Sequence, residues 1–66
     1  MRLTVNGEGR EVADGLALPD LLAELGLKVG TVVVERNGTA LLRAEVVATV
    51  LEDGDVLELV RAVAGG

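Results

Sequence analysis

Apolar and polar residues alternate at the start of the chain. Arg2-Leu3-Thr4-Val5 repeats with period two, which predicts a strand carrying Leu3 and Val5 on one face. Asn6-Gly7 follows. Both residues tolerate positive φ, so the pair predicts a tight hairpin, with residues 10–13 (Arg-Glu-Val-Ala) returning and Asp14-Gly15 ending the strand. The period then changes. Leu18, Leu21, Leu22 and Leu25 stand at i, i+3, i+4 and i+7, one stripe of a short helix over residues 19–25. Pro19 pushes Leu18 out of the α region and suits the first helical position. Asp20 lies near the positive end of the helix dipole, and Gly26 is placed to stop the helix as a left-handed cap.

Beyond the helix, Thr31-Val32-Val33-Val34-Glu35 is short, apolar and β-branched, the composition of a central strand. Asn37-Gly38 marks a second turn, and Ala40-Leu41-Leu42 an edge strand. Residues 43–51 fit a single helical turn plus coil. Asp53-Gly54-Asp55 is a turn, and residues 56–63 form the last strand. Two strands, a helix, then further strands ending near the middle of the sheet give an α+β fold of the β-grasp order: a mixed sheet with one main helix packed on one face. The expected core face carries Leu3, Val5, Val32, Val34, Leu57 and Leu59, beside Leu21, Leu22 and Leu25 of the helix. Alternation then turns Glu58, Val60 and Ala62 away from the helix, on the same outer face as Val33. These residues read either as an apolar docking patch or as ordinary scattered surface aliphatics.

Composition narrows the classes of function. Sixty-six residues make one domain, which buries only about 60% of the surface its unfolded chain exposes. Twelve Leu and twelve Val, with no Ile and no aromatic ring, must fill the core by close aliphatic packing. The net charge of −5 argues against nucleic acid and against an anionic membrane surface, and favours a partner with a basic face. No stretch reaches the ~18 apolar residues of a membrane span. Residues 1–7 lack the apolar run of a secretory signal, so a cytoplasmic address is expected.

Reactive groups are few. The chain has no Cys, His, Tyr, Trp or Ser, so thiolate and imidazole metal sites and most nucleophiles are absent; its carboxylates are not spaced as a calcium loop requires, and no bound metal or cofactor is expected. Asp53, Asp55 and Glu58 read as turn and surface residues rather than an acid–base set. Lys28 invites comparison with biotinyl and lipoyl carriers, but it follows a helix and lacks their hairpin neighbours. An acyl carrier needs a serine, and a β-grasp ferredoxin needs four cysteines. Gly7, Gly9 and Gly15 read as turn glycines, not a dinucleotide fingerprint. What remains is the α-carboxylate of Gly66, carried on Ala64-Gly65-Gly66. A Gly-Gly end is thin enough for a narrow channel, although the dipeptide alone reads as a frayed terminus. The expected organisation is a body over residues 1–62 and a flexible tail over 63–66; three residues beyond Val63 span about 10–11 Å when extended.

Several separated stretches together resemble the ThiS family, the ubiquitin-like sulfur carriers of thiamine biosynthesis. They are residues 5–8 (Val-Asn-Gly-Glu), 18–27 (Leu-Pro-Asp-Leu-Leu-Ala-Glu-Leu-Gly-Leu), 32–38 (Val-Val-Val-Glu-Arg-Asn-Gly), 51–60 (Leu-Glu-Asp-Gly-Asp-Val-Leu-Glu-Leu-Val) and the terminal Gly65-Gly66. Two departures stand out. Ala17 or Leu18 replaces the Ser or Thr often found before the helix, which weakens capping by up to ~1 kcal/mol. Ala64 replaces the glycine that commonly precedes the final pair. The resemblance implies a protein co-substrate rather than an enzyme. An E1-like adenylating enzyme would use ATP to adenylate the Gly66 carboxylate, with Gly65 giving slim access. A cysteine desulfurase system would supply the sulfur that makes a thiocarboxylate, and thiazole synthase would receive it. Partner contacts are expected at Val33, Glu58, Val60, Ala62, Val63 and Ala64. The alternatives are the small subunit of molybdopterin synthase, a ubiquitin-like modifier joined to target lysines, and a non-covalent β-grasp interaction module.

Overall fold

The computed structural model of the chain describes residues 1–62; the expectations placed on Val63, Ala64, Gly65 and Gly66 lie outside the described residues. Five strands form one sheet in the order β2-β1-β5-β3-β4. They are β1 (Arg2–Val5), β2 (Glu8–Glu11), β3 (Val32–Arg36), β4 (Thr39–Ala40) and β5 (Val56–Arg61), with helices α1 (Leu18–Glu24) and α2 (Arg43–Ala48) between them. The central pair β1 and β5 is parallel and the other pairings are antiparallel. This is the mixed β-grasp sheet expected from the sequence.

Both Asn-Gly pairs make two-residue hairpins, with φ of 49° and 81° at Asn6 and Gly7 and 51° and 85° at Asn37 and Gly38. Turns this tight bring the chain back at once. The returning strand therefore begins at Glu8, opposite Val5, and not at Arg10. The second hairpin likewise pairs Thr39 with Arg36, so β4 is Thr39–Ala40 and not residues 40–42. Gly9 is no turn glycine: it sits within β2 opposite Thr4, where an added side chain would run into the Arg2 guanidinium.

Helix α1 starts one residue earlier than expected, with Ala17 as its cap and Leu18 inside the helix. Alanine offers no capping oxygen. The Leu18 N–H instead donates to the carbonyl of Thr49 at 2.9 Å, so a neighbouring segment supplies what the cap lacks. The stop is as expected. Gly26 adopts φ +72°, its N–H donates to Ala23 at 3.0 Å, and the Leu27 N–H reaches back to Leu22 at 2.8 Å.

The fully buried core consists of Leu3, Leu18, Leu21, Leu22, Val34, Val46, Leu51 and Leu57. Leu18, Val46 and Leu51 are additions to the expected list. Val46 comes from α2, a helix longer than the single turn predicted, and the Leu51 N–H donates to the Leu16 carbonyl at 2.9 Å. Val5, Val32, Leu25 and Leu59 were expected inside but are only half-buried, because they border an opening at one end of the core. Among the described residues, no helix is long and apolar enough to cross a membrane.

Candidate functional site

Strand β5 delivers the chain to its carboxyl end, so the site is built outward from it. Leu57 is fully buried against the helices, which by alternation sends Val56, Glu58 and Val60 to the opposite face. The register places Val60 directly across from Val33, and both are about half exposed, at 58% and 49%. Glu58 lies directly across from Glu35. The expected outer-face residues Val33, Glu58 and Val60 are thus brought together. Ala62 is exposed beyond the end of β5, and its N–H still donates to the Thr31 carbonyl at 2.9 Å. Pairing therefore holds the chain to the last described residue.

The side chains that fix β5 were not singled out by sequence reasoning. The Asn6 amide oxygen accepts from the Leu59 N–H at 2.7 Å, and its NH₂ donates to the Leu59 carbonyl at 3.3 Å. The amide thereby extends the β1–β5 pairing one residue beyond the strand. At the other end of β5, the Asn37 side-chain oxygen accepts from the Val56 N–H at 2.9 Å. Its NH₂ donates to Asp55 Oδ1 at 3.0 Å. Asparagine in a turn signals positive φ; it does not announce what its amide will reach.

Asp55 is a buried charged residue, only 5% exposed. Its Oδ2 accepts from Arg36 Nε at 3.1 Å and from the Glu52 N–H at 2.9 Å, and pairs with Arg36 Nη2 at 3.0 Å. Burial pushes the carboxyl up. The hydrogen bonds from Glu52, Asn37 and Arg36, with the charge of Arg36, more than offset it and hold the carboxyl below the usual aspartate range. This is structural chemistry: the carboxylate is saturated by donors of its own chain. Asp53 is exposed and accepts from the Arg2 N–H at 2.7 Å, which also makes it a turn-binding residue. Lys28 is an exposed loop residue whose carbonyl accepts from the Thr31 hydroxyl at 2.6 Å. Among the described residues, no group of three or more carboxylates is placed to hold a metal ion.

The ThiS family profile matches residues 3–66, nearly the whole chain and its Gly-Gly end. This chain belongs to the ThiS family. The sulfur carrier protein ThiS of Thermus thermophilus is 40% identical over 62 residues, covering 94% of this chain and 95% of that one. The crystal structure of the ThiS thiamine biosynthesis protein of Geobacter metallireducens superposes with a TM-score of 0.82 at 39% identity, covering all of both chains. A thiazole synthase of Paramagnetospirillum magneticum is 36% identical over all 66 residues, which make up 20% of its length. The chain thus spans about a fifth of that relative, and the same share of a thiazole synthase of Magnetococcus marinus. ThiS membership bears out the family resemblance, the β-grasp fold and the sulfur-carrier role in thiamine biosynthesis at the level of the family.

Proposed function

We propose that this ThiS-family chain carries sulfur on the carboxyl group of Gly66 for thiazole formation. An E1-like adenylating partner binds the body and ATP. The Gly66 carboxylate oxygen attacks the α-phosphate, pyrophosphate leaves, and an acyl-adenylate results. A carboxylate is a poor electrophile, and AMP gives it a leaving group. The terminal sulfur of a persulfide, charged by a cysteine desulfurase, then attacks the acyl carbon. The C–S bond forms as the bond to AMP breaks. A partner thiol then attacks the cysteine sulfur of the resulting acyl disulfide; the S–S bond breaks, a disulfide forms between that cysteine and the attacking thiol, and the C-terminal thiocarboxylate is released. The sulfur passes to the substrate of thiazole synthase, an oxygen from that substrate or from water takes its place on the acyl carbon, and the carboxylate is restored for another round. The protein is consumed and regenerated as a co-substrate, and ATP belongs to the activating partner.

The observation that supports this reading is a full-length match to the family that includes Gly65-Gly66, in a chain with no thiol, imidazole or serine hydroxyl of its own. The thiazole synthase relatives that hold a carrier-like fifth within one longer chain support that enzyme as the acceptor. Docking uses the outer face of the sheet around Val33 and Val60, flanked by Glu58, together with contacts from Ala62, Val63 and Ala64. An apolar pair about half exposed on a rigid sheet suits an apolar patch on the partner, and the net charge of −5 suits a basic rim around it.

Intact-mass analysis after incubation with ATP, the activating enzyme and a persulfide source tests the chemistry. The expected product is heavier by the exchange of one oxygen for one sulfur, located in the last peptide. Deletion of Gly66 abolishes that product. Val60→Glu leaves the fold within about 0.5 kcal/mol, as surface substitutions generally do, but slows adenylation at least about tenfold by setting a charge in the apolar contact. Native adenylation kinetics in Val60→Glu would remove the docking face; absence of the sulfur product in the native chain would remove the carrier chemistry.

A further inference from the structure

The opposite, helix-side face of the sheet holds a feature that sulfur carriage does not use. At one end the core is not closed. Val5, Val32 and Leu59 of the sheet, with Leu25 and Leu27 from the segment just after α1, give the apolar part of the lining of an open concavity of about 480 Å³; Asn6, Glu8, Gly9, Arg10 and Arg61 complete it. This volume falls in the range of small-molecule pockets, and the lining is part aliphatic and part polar, as an amphipathic ligand requires.

Two guanidinium groups border it. Arg10 pairs with buried Leu3 across β1 and β2, so its side chain leaves the sheet on the helix side. Arg61 pairs with Val32 at the end of β5 and emerges on that side too. The Nε of Arg10 is shielded from solvent and has no hydrogen-bond acceptor among the described residues. The ion pairs of the described residues engage Arg2, Arg36 and the N-terminus, and neither Arg10 nor Arg61. Glu8 places a carboxylate at the rim, and among the described residues it makes no ion pair with either arginine. With Arg10 and Arg61 against Glu8, the rim carries one more positive than negative side chain, in a chain whose net charge is −5.

We propose that this pocket binds a small aliphatic carboxylate, its hydrocarbon chain on Val5, Leu25, Val32 and Leu59 and its carboxylate accepting from Arg10 and Arg61. A carboxylate supplies what the Arg10 Nε–H lacks, and the guanidinium fork suits it geometrically. Neutral aliphatic molecules meet the floor without satisfying the rim, and cations are repelled by it. The site lies on the reverse of the sheet from Val33 and Val60, so its occupant and a docked partner do not compete for surface.

Methyl-resolved NMR titration of the full chain with sodium octanoate tests this. Octan-1-ol and octylammonium serve as neutral and cationic counterparts, all below their aggregation concentrations. Saturable shifts at Val5, Leu25, Leu27 and Leu59 are expected for octanoate, with weaker binding of the alcohol and least of the amine. Arg10→Gln and Arg61→Gln should each weaken octanoate binding about tenfold, the loss of one charge-assisted hydrogen bond, while the dispersed spectrum is kept. If Arg10→Gln unfolds the edge hairpin, Arg61→Gln decides alone. Shifts that never saturate, equal binding of octanol and octanoate, or native affinity in folded arginine variants would overturn the proposal. The titration needs neither sulfur nor an activating enzyme, so its outcome is independent of the carrier chemistry.

Discussion

The two Asn-Gly hairpins share a dipeptide, a turn and nearly the same backbone angles, yet their asparagines act at opposite ends of β5 in different company. Asn37 belongs to a network. It joins Val56 to Asp55, and Asp55 gathers Arg36 and the Glu52 N–H, so one carboxylate ties the β3–β4 hairpin to the loop that opens β5. Asn6 stands alone, holding Leu59 by two hydrogen bonds at an exposed position. Identical local chemistry therefore yields a cooperative anchor where a buried charge organises it, and a simple clip where none does. The anchor holds the start of β5; the clip holds the end that leads to Gly66.

The largest effect is expected from breaking the anchor at its centre. Asp55→Ala strands the Arg36 guanidinium, the Asn37 amide and the Glu52 N–H together, and should cost about 3 kcal/mol in urea unfolding, typical of removing one partner from a buried charged network. A loss below about 1 kcal/mol would make the anchor no stronger than the clip.

Acid gives the same comparison without losing the side chain's shape. Because the folded Asp55 carboxyl sits below its usual value of 3.8, its contribution is whole above that pH and disappears as pH falls through the folded value. Asp14 adds a share of its own, since its carboxyl is lowered by the hydrogen bond from the N-terminal ammonium. Asp55→Asn keeps the Asp14 share and loses the other. Between pH 5 and acid, the native protein should therefore lose more stability than Asp55→Asn; parallel curves would show that Asp55 is not the titrating anchor.

The smallest effects compare the hairpins themselves. Asn37→Gly and Asn6→Gly both keep the positive φ and delete only the amide. The first should cost about 1.5–2 kcal/mol, because one lost bond leads to a charged acceptor, and the second about 0.5–1 kcal/mol. Equal values would show that the two turns differ in appearance only.

Much of this architecture is visible in the residues themselves. Period-two alternation in β1 and β5 and the leucine stripe of α1 mark the layers, and Asn-Gly marks both hairpins. Alternation alone also puts Val33 and Val60 on one face; that they stand directly opposite each other depends on register, which hairpin geometry does not specify for two strands so far apart in sequence. Helix α2 was hidden for a physical reason. Only Val46 among its six residues is buried, while Leu42, Val47 and Val50 around it are apolar and exposed, so no stripe forms. The pocket was hidden because Val5, Leu25, Val32 and Leu59 look like core in any pattern of polarity. Whether an aliphatic core closes at its end depends on how far the helix runs over the sheet. The Asn6 clip joins residues 53 apart in sequence, beyond any local rule.

Parallel β1 and antiparallel β3 flank β5 on both sides, so the strand that leads into the carboxyl end lies in the middle of the sheet. Under the proposed function, a partner that drew that end into its own nucleotide site would apply traction along β5. Such a load shears two ladders at once and does not peel them open bond by bond. Sheet pairing on both sides of β5 thus gives a small body without an aromatic ring or a disulfide its resistance to a pull along that strand.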